Sequence, residues 1–237
     1  LLLKILTFYC THSSFYSRPV WLVLLEKKLT FNLVPLKLNG DQFEAEFVTI
    51  NPFSRIPVLI DNDFRIVESS AILDYLEAKY PVPALLPTEA KTLAKIRMVQ
   101  AMTMNELLPA VAELIIHRHN TLELEYAKQR AINVLTFFED LLGDGLYFAG
   151  EQLTFAEIVA GTLVPVLPKI GISLSNYPKL NNWIDRLLSR ESWQATQLSA
   201  EEFEKFKRRL QVLPKIWQKR RRQRTAIFSE QNLSKQK

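Results

Sequence analysis

Residues 51–80, NPFSRIPVLIDNDFRIVESSAILDYLEAKY, constrain this chain more than any other stretch. Proline cannot donate to a β-ladder, so Pro57 ahead of the apolar run Val58-Leu59-Ile60 belongs at a strand start or in a special turn. X-Pro is also where cis peptides occur. A cis Ile56–Pro57 bond would leave the Ile56 N–H and C=O free to pair with an extended peptide-like ligand by strand addition. Asp61-Asn62-Asp63 is a turn cluster and Phe64-Arg65-Ile66-Val67 a second short strand, so the segment predicts a hairpin. Glu68-Ser69-Ser70 then meets Ile72, Leu73, Tyr75, Leu76 and Tyr80 at helical spacing. A helix N-terminus with unpaired N–H groups suits a carboxylate, with Ser69 or Ser70 as cap, and Glu68 beside it suits an ammonium group. A ligand with an α-amine, an α-carboxylate and a following peptide satisfies all of these at once.

The segments NPFSRIPVL and ESSAILDYL resemble the glutathione site of the glutathione transferase superfamily, whose pattern is N-P-x-G-K-V-P-x-L and then E-S-x-A-I. The resemblance implies an α+β thioredoxin-like N-terminal domain followed by an all-α C-terminal domain. The first would hold a mixed four-stranded sheet in the order β-α-β-α-β-β-α. Domain bounds are expected at 1–80 and 89–200, with a linker at 81–88 and a basic extension at 201–237. The resemblance also implies glutathione as co-substrate, a small hydrophobic electrophile as second substrate, and a homodimer.

Composition narrows the alternatives. The 237 residues suffice for one large domain or two modest ones. The single cysteine, Cys10, excludes a disulfide framework and a cysteine-based zinc site, and no metal is expected. The longest apolar stretch, 158–167, is interrupted by Gly161 and Pro165 and falls short of a membrane span. Residues 1–6 read as a first strand, not a signal peptide, and the expected compartment is the cytoplasm. Charge is divided: from Lys205 onward twelve Lys or Arg face one acid, giving +11, while the rest of the chain carries −6.

Along the chain, residues 2–9 predict a strand, 15–27 a buried helix and 30–36 a strand parallel to the first. Residues 42–49 read as a short irregular or helical piece. After the prolines at 81, 83 and 87, helical spacing runs over 89–117 and again over 122–142, predicting two long antiparallel helices. Thr154 with Glu157 spells a capping box, with Leu153 and Ile158 as its staple. Residues 177–190 predict another helix, and Phe203, Phe206, Leu210, Leu213 and Trp217 an amphipathic one interrupted at Pro214.

The catalytic group is expected between the first strand and first helix. In serine-type classes, resembling theta and phi, the serine follows a strand-end aromatic by about five residues and precedes an Arg by four and a Val by six. Ser14 meets all three counts through Tyr9, Arg18 and Val20, whereas Ser13 misses each by one. A thiol of pKa about 8.5 is mostly protonated at neutral pH, and lowering it two units takes roughly 2.7 kcal/mol of preferential thiolate stabilisation. A hydroxyl donating to sulfur beside a helix dipole suits that task. Either serine could instead merely cap the helix. Cys10 with Ser13 spells C-x-x-S, a redox pattern whose position at the strand end favours packing. Tyr9 lacks the Arg-Gly of tyrosine-type classes, His12 reads as a solvated loop residue, and His117 and His119 diverge on a helix.

For glutathione, the resemblance assigns Gln42 and Arg55 to the glycyl carboxylate and Ile56, ahead of Pro57, to the cysteinyl backbone. Glu68 and Ser69 fall at the γ-glutamyl end. Ser54 stands where glycine is common. Met104, Leu108 and Val111 are named for the electrophile, with core packing as the competing expectation. The reading that follows is a serine-type glutathione transferase conjugating electrophiles or reducing peroxides. The alternative is a non-catalytic binding or assembly module of the same fold using the basic run at 219–224. That run has no interleaved aromatics, so nucleic acid is not expected as a partner.

Overall fold

In β1 (Leu6–Cys10), Leu6, Phe8 and Cys10 are buried while Thr7 and Tyr9 are half-buried, the period-two signature of a strand with two covered faces. The computed structural model describes residues 5–116 and 122–212. Helix α1 (Ser17–Glu26) buries Val20, Leu22, Val23 and Leu24 and carries the chain back to β2 (Phe31–Pro35), which pairs parallel to β1. A 3-10 turn at Asp41–Phe43 and α2 (Ala45–Ile50) lead to the hairpin of β3 (Val58–Asp61) and β4 (Phe64–Val67). Asn62, at φ 59°, takes the left-handed turn position that asparagine tolerates. Helix α3 (Ser69–Lys79) completes this part. The sheet order is β2-β1-β3-β4, parallel between β1 and β2 and antiparallel elsewhere, as a thioredoxin-like domain requires.

The helical part opens with α4 (Ala90–Met102), a π-helical turn (Thr103–Leu107) and α5 (Leu108–Ile116), continuous in direction. Periodicity predicts one α-helix there; the π turn adds a residue to the repeat and shifts the buried stripe. By length and composition the run Ala90–Ile116 passes as a membrane span, with mean hydropathy 1.2 over its most apolar window. Its residues Ile96, Val99, Leu107, Ala110, Val111 and Ile115 nevertheless sit in the hydrophobic core, and Lys91, Arg97 and Glu113 lie on the same run, so it reads as a core helix. The long α6 (Leu122–Leu142) packs against α5. Then come α7 (Phe155–Ala160), a 3-10 stretch (Val164–Ile170), α8 (Pro178–Leu188) and α9 (Glu191–Ala195). A last helix covers 200–212.

The capping box at α7 forms as predicted. Thr154 accepts from the Ala156 N–H, and Glu157 accepts from both the N–H and the Oγ of Thr154. Glu157 is fully buried and also receives the Phe148 N–H, so one carboxylate ties the 143–150 loop to the helix start. Burial raises its pKa against the pull of those donors. One core runs through both parts, from Phe8, Leu22 and Leu59 in the sheet region to Phe138, Phe148, Trp183 and Trp193. Of the amphipathic tail, Phe203, Phe206 and Leu210 pack on that core. Leu213, Pro214, Trp217 and the basic run at 219–224 lie outside the described residues, as do residues 1–4, His117 and His119.

Candidate functional site

Strand register brings separate segments to one end of the sheet. Cys10 pairs with Pro35, Tyr9 with Val58, and Val58 with Val67. The loop after β1, the segment after β2, Ile56-Pro57 before β3 and Glu68-Ser69 after β4 therefore emerge side by side. Of these, only Ile56-Pro57 leads into its strand instead of leaving it. The Ile56–Pro57 bond is cis, and Ile56 stands outside the β3 ladder.

Asn51 builds the loop that presents them. Its Nδ2 donates to the Arg55 carbonyl at 2.7 Å and its Oδ1 accepts from the Phe53 N–H at 3.0 Å, while Ser54 N–H returns to its carbonyl. Buried at 2 % exposure, Asn51 acts as an internal template for residues 52–55. The sequence motif displayed this asparagine, but nothing local said that its amide would face inward. Ser54 sits at φ 54°, so the position where glycine is common keeps the left-handed backbone glycine supplies. The Arg55 guanidinium is exposed and meets no acid among the described residues.

Glu68 stands at φ 70°, a costly backbone for a residue with a side chain. It occupies the cap position of α3 without capping it through its side chain, so the first-turn N–H groups of Ser69 and its successors have no side-chain acceptor. Ser69 is half-buried as the first residue of the helix. Gln42 turns its Oε1 onto the Gly40 N–H at 3.2 Å, leaving the Nε2 donors to reach outward.

Ser14 does cap the first helix. Its Oγ accepts from the N–H of Tyr16 at 3.2 Å and of Ser17 at 3.1 Å, and its carbonyl takes the Arg18 N–H at 3.0 Å. An oxygen that accepts from two N–H groups still has its own proton to donate, and the accepted bonds polarise that O–H. The capping reading and the donor reading are thus compatible in one atom.

The rivals separate. Cys10 is 1 % exposed, and burial pushes its thiol up to about 12, so it is no redox nucleophile at neutral pH. Tyr9 packs its ring on Phe47 at 5.9 Å within the smaller apolar cluster of Leu36, Phe47 and Val58. His12 is not simply solvated, contrary to the sequence expectation. Its ring lies 5.5 Å from that of Trp21 and its Nδ1 is 3.1 Å from Glu202 of the 200–212 helix. That partner lies 190 residues away in sequence, beyond any local signal.

A cleft of about 90 Å³ opens between this loop and the helical part, lined by Ser13, Ser14, Arg18, Lys169, Leu198 and Phe203 among others. Met104, Leu108 and Val111, named from the sequence for the electrophile, are not in its wall. Leu108 and Val111 are buried in the core and Met104 packs against it, because the π turn and α5 face α6. The cleft is walled instead by the 3-10 stretch and the segment after α9. No group of three or more His, Cys, Asp or Glu able to hold a metal occurs among the described residues.

Residues 8–85 match the family model described as glutathione S-transferase, N-terminal domain, and residues 103–191 match glutathione S-transferase, C-terminal domain. Maleylacetoacetate isomerase of Rattus norvegicus is 27% identical over 194 residues, spanning 78% of this chain and 90% of its own length. Glutathione S-transferase D7 of Drosophila melanogaster is 31% identical over 180 residues, spanning 74% and 80%. Among solved structures, a glutathione transferase homologue from Sulfitobacter with bound glutathione superposes with a TM-score of 0.70 at 24% identity, covering 81% of this chain and 97% of that one. At that identity the superposition speaks for the fold.

Proposed function

The chain belongs to the glutathione S-transferase family, and on that premise we propose a serine-type enzyme in which Ser14 activates the glutathione sulfur for attack on an electrophile. Glutathione is the co-substrate, and the activity is of the transferase type. One observation carries the assignment of residues: four segments distant in sequence meet at one end of the sheet through strand register.

In this reading the γ-glutamyl carboxylate takes the first-turn N–H groups of α3 and the Ser69 hydroxyl, and the α-ammonium takes Glu68. The cysteinyl backbone pairs with Ile56 beside the cis Pro57, as an added strand would. Arg55, which pairs with no acid among the described residues, and the Nε2 of Gln42 receive the glycyl carboxylate. The sulfur then lies at the Ser14 hydroxyl near the start of α1. Ser14 donates a hydrogen bond and forms no covalent bond. The thiolate becomes the nucleophile, its proton having passed to solvent.

The enzyme is proposed to be a cytoplasmic homodimer. Phe53, Phe64 and Met98 are 68%, 56% and 44% exposed, and large apolar side chains in such numbers suit a second copy. Sedimentation of Phe53→Ser against the parent chain tests the dimer.

The activation site is tested by the ultraviolet difference spectrum of bound glutathione titrated from acid to alkaline pH. A thiolate appearing well below the free thiol's pKa supports Ser14 activation. Binding with no such displacement would turn the reading to a glutathione-binding module without transferase activity.

A further inference from the structure

The cleft beside Ser14 has an unbalanced wall. Pro165, Val166, Leu198 and Phe203 give it an apolar body. Arg18 and Lys169 give it two cations, and no carboxylate belongs to the lining.

Neither cation, Arg18 half-buried and Lys169 exposed, pairs with an acid among the described residues. The Arg18 Nε donates to the neutral Thr196 Oγ1 at 3.3 Å, and no acid pairs with the guanidinium among the described residues. Burial pulls its pKa down to about 10, which leaves it charged at neutral pH, and the residue is half-buried. Lys169 holds its Nζ 5.5 Å from the ring of Phe203. Lys207 approaches the same ring at the same distance but is paired with Glu204 at 2.6 Å; Lys169 has no such partner among the described residues. Glu202, which meets His12 of the cleft wall, is also engaged by the Ser199 N–H.

Position ties this charge to the reacting centre. Arg18 follows Ser14 by four residues, one helical turn, and its N–H bonds to the Ser14 carbonyl. Its charge therefore sits on the face of α1 that continues from the donor hydroxyl. A half-buried guanidinium that has no counter-ion among the described residues gives up part of its hydration, and an anion delivered by a ligand relieves that cost.

We propose that the cleft selects an electrophile whose apolar body carries a carboxylate, the body lying on Leu198 and Phe203 and the anion held by Lys169 and Arg18. This rests on the transferase reading above and narrows its second substrate. A matched pair of aryl chlorides tests it: 4-chloro-3,5-dinitrobenzoate and its methyl ester. In either reaction the glutathione sulfur forms a bond to the ring carbon, the carbon–chlorine bond breaks, and chloride leaves with the bonding pair.

The expected result is a benzoate-to-ester ratio of kcat/KM above that of the uncatalysed reactions. Lys169→Met should lower that ratio about tenfold, the scale of one charge-assisted hydrogen bond, and Lys169→Arg should restore it. An equal loss for both substrates, or a preference for the ester, overturns the proposal. A Lys169→Met effect confined to the KM of glutathione also overturns it, since the cations would then serve the tripeptide. If neither chloride is turned over, the transferase reading fails by itself, and calorimetry of benzoate binding decides the anion site. Binding weakened about tenfold by Lys169→Met would sustain the site; absence of binding to the parent chain would remove it.

Discussion

At the scale of single residues, the proposed role of Ser14 adds a second duty to the capping that its oxygen performs, and the two can be separated. Ser14→Ala removes the acceptor for the Tyr16 and Ser17 N–H groups and, in the proposed role, the donor to sulfur. The capping loss is about 1 kcal/mol of stability. The lost donor, at about 1.5–3 kcal/mol, raises the pKa of bound glutathione by one to two units. Ser14→Thr keeps both groups, so it should hold the thiolate spectrum near that of the parent chain while Ser14→Ala displaces it alkaline. Cys10 offers a contrast. Its pKa of about 12 and its burial predict that iodoacetamide leaves the folded protein unlabelled at pH 8 and labels it only after unfolding. Rapid labelling of the native chain would return the C-x-x-S reading to consideration.

At the scale of elements, helix ends are where this sequence is most explicit. Glu89 caps α4, its two oxygens accepting from Lys91 N–H at 2.9 Å and from the N–H and Oγ of Thr92 at 2.7 and 2.8 Å. These bonds, that from Lys91 first, hold its pKa below the ordinary 4.5. A depressed carboxylate pKa stabilises the fold above the unfolded value and loses that contribution as pH falls through the folded one. The melting-temperature difference between the parent chain and Glu89→Ala should thus be full at pH 7 and shrink as the pH falls below 4.5. A constant difference across that range would mean that the cap acts without its charge. The π turn between α4 and α5 shows the opposite case, since its extra residue displaces the apolar stripe that regular periodicity predicts.

At the scale of the whole molecule, two ionic links, one with a buried lysine and one half-buried, join elements that the sequence keeps apart. Lys27, at the end of α1, pairs with Glu77 of α3 at 2.7 Å and donates to the carbonyls of Tyr80 and Pro83. Glu77 in turn accepts from the N–H groups of Leu85 and Leu86, so the pair locks the connection between the two parts. Lys27→Met leaves the Glu77 carboxylate without its counter-charge and should cost about 3 kcal/mol. Adding Glu77→Leu should return part of that loss, which chemical denaturation of the single and double variants would measure. The second link crosses from α1 to the start of α9, where Glu26 receives Arg190 at 2.6 Å and Ser192. It fixes the α1 face that carries Arg18 against the segment that walls the cleft.

The sequence alone determined the sheet segments, the long helices, the α7 capping box and the Asn51–Tyr80 stretch. Each of these is a local pattern: alternation, helical spacing, a turn cluster or a cap within four residues. The same locality made Ser14, Ile56-Pro57, Glu68 and Ser69 legible as candidates. Only the tertiary structure decided what surrounds them. Asn51 turned inward because residues 52–55 needed a buried template, and His12 found Glu202 and Trp21 because the 200–212 helix returns to the first loop. The cleft gathered Arg18, Lys169 and Phe203 from three elements, while Leu108 and Val111 went to the core. Apolar spacing states that a helix has a buried face; which neighbour covers that face depends on how every other element packs.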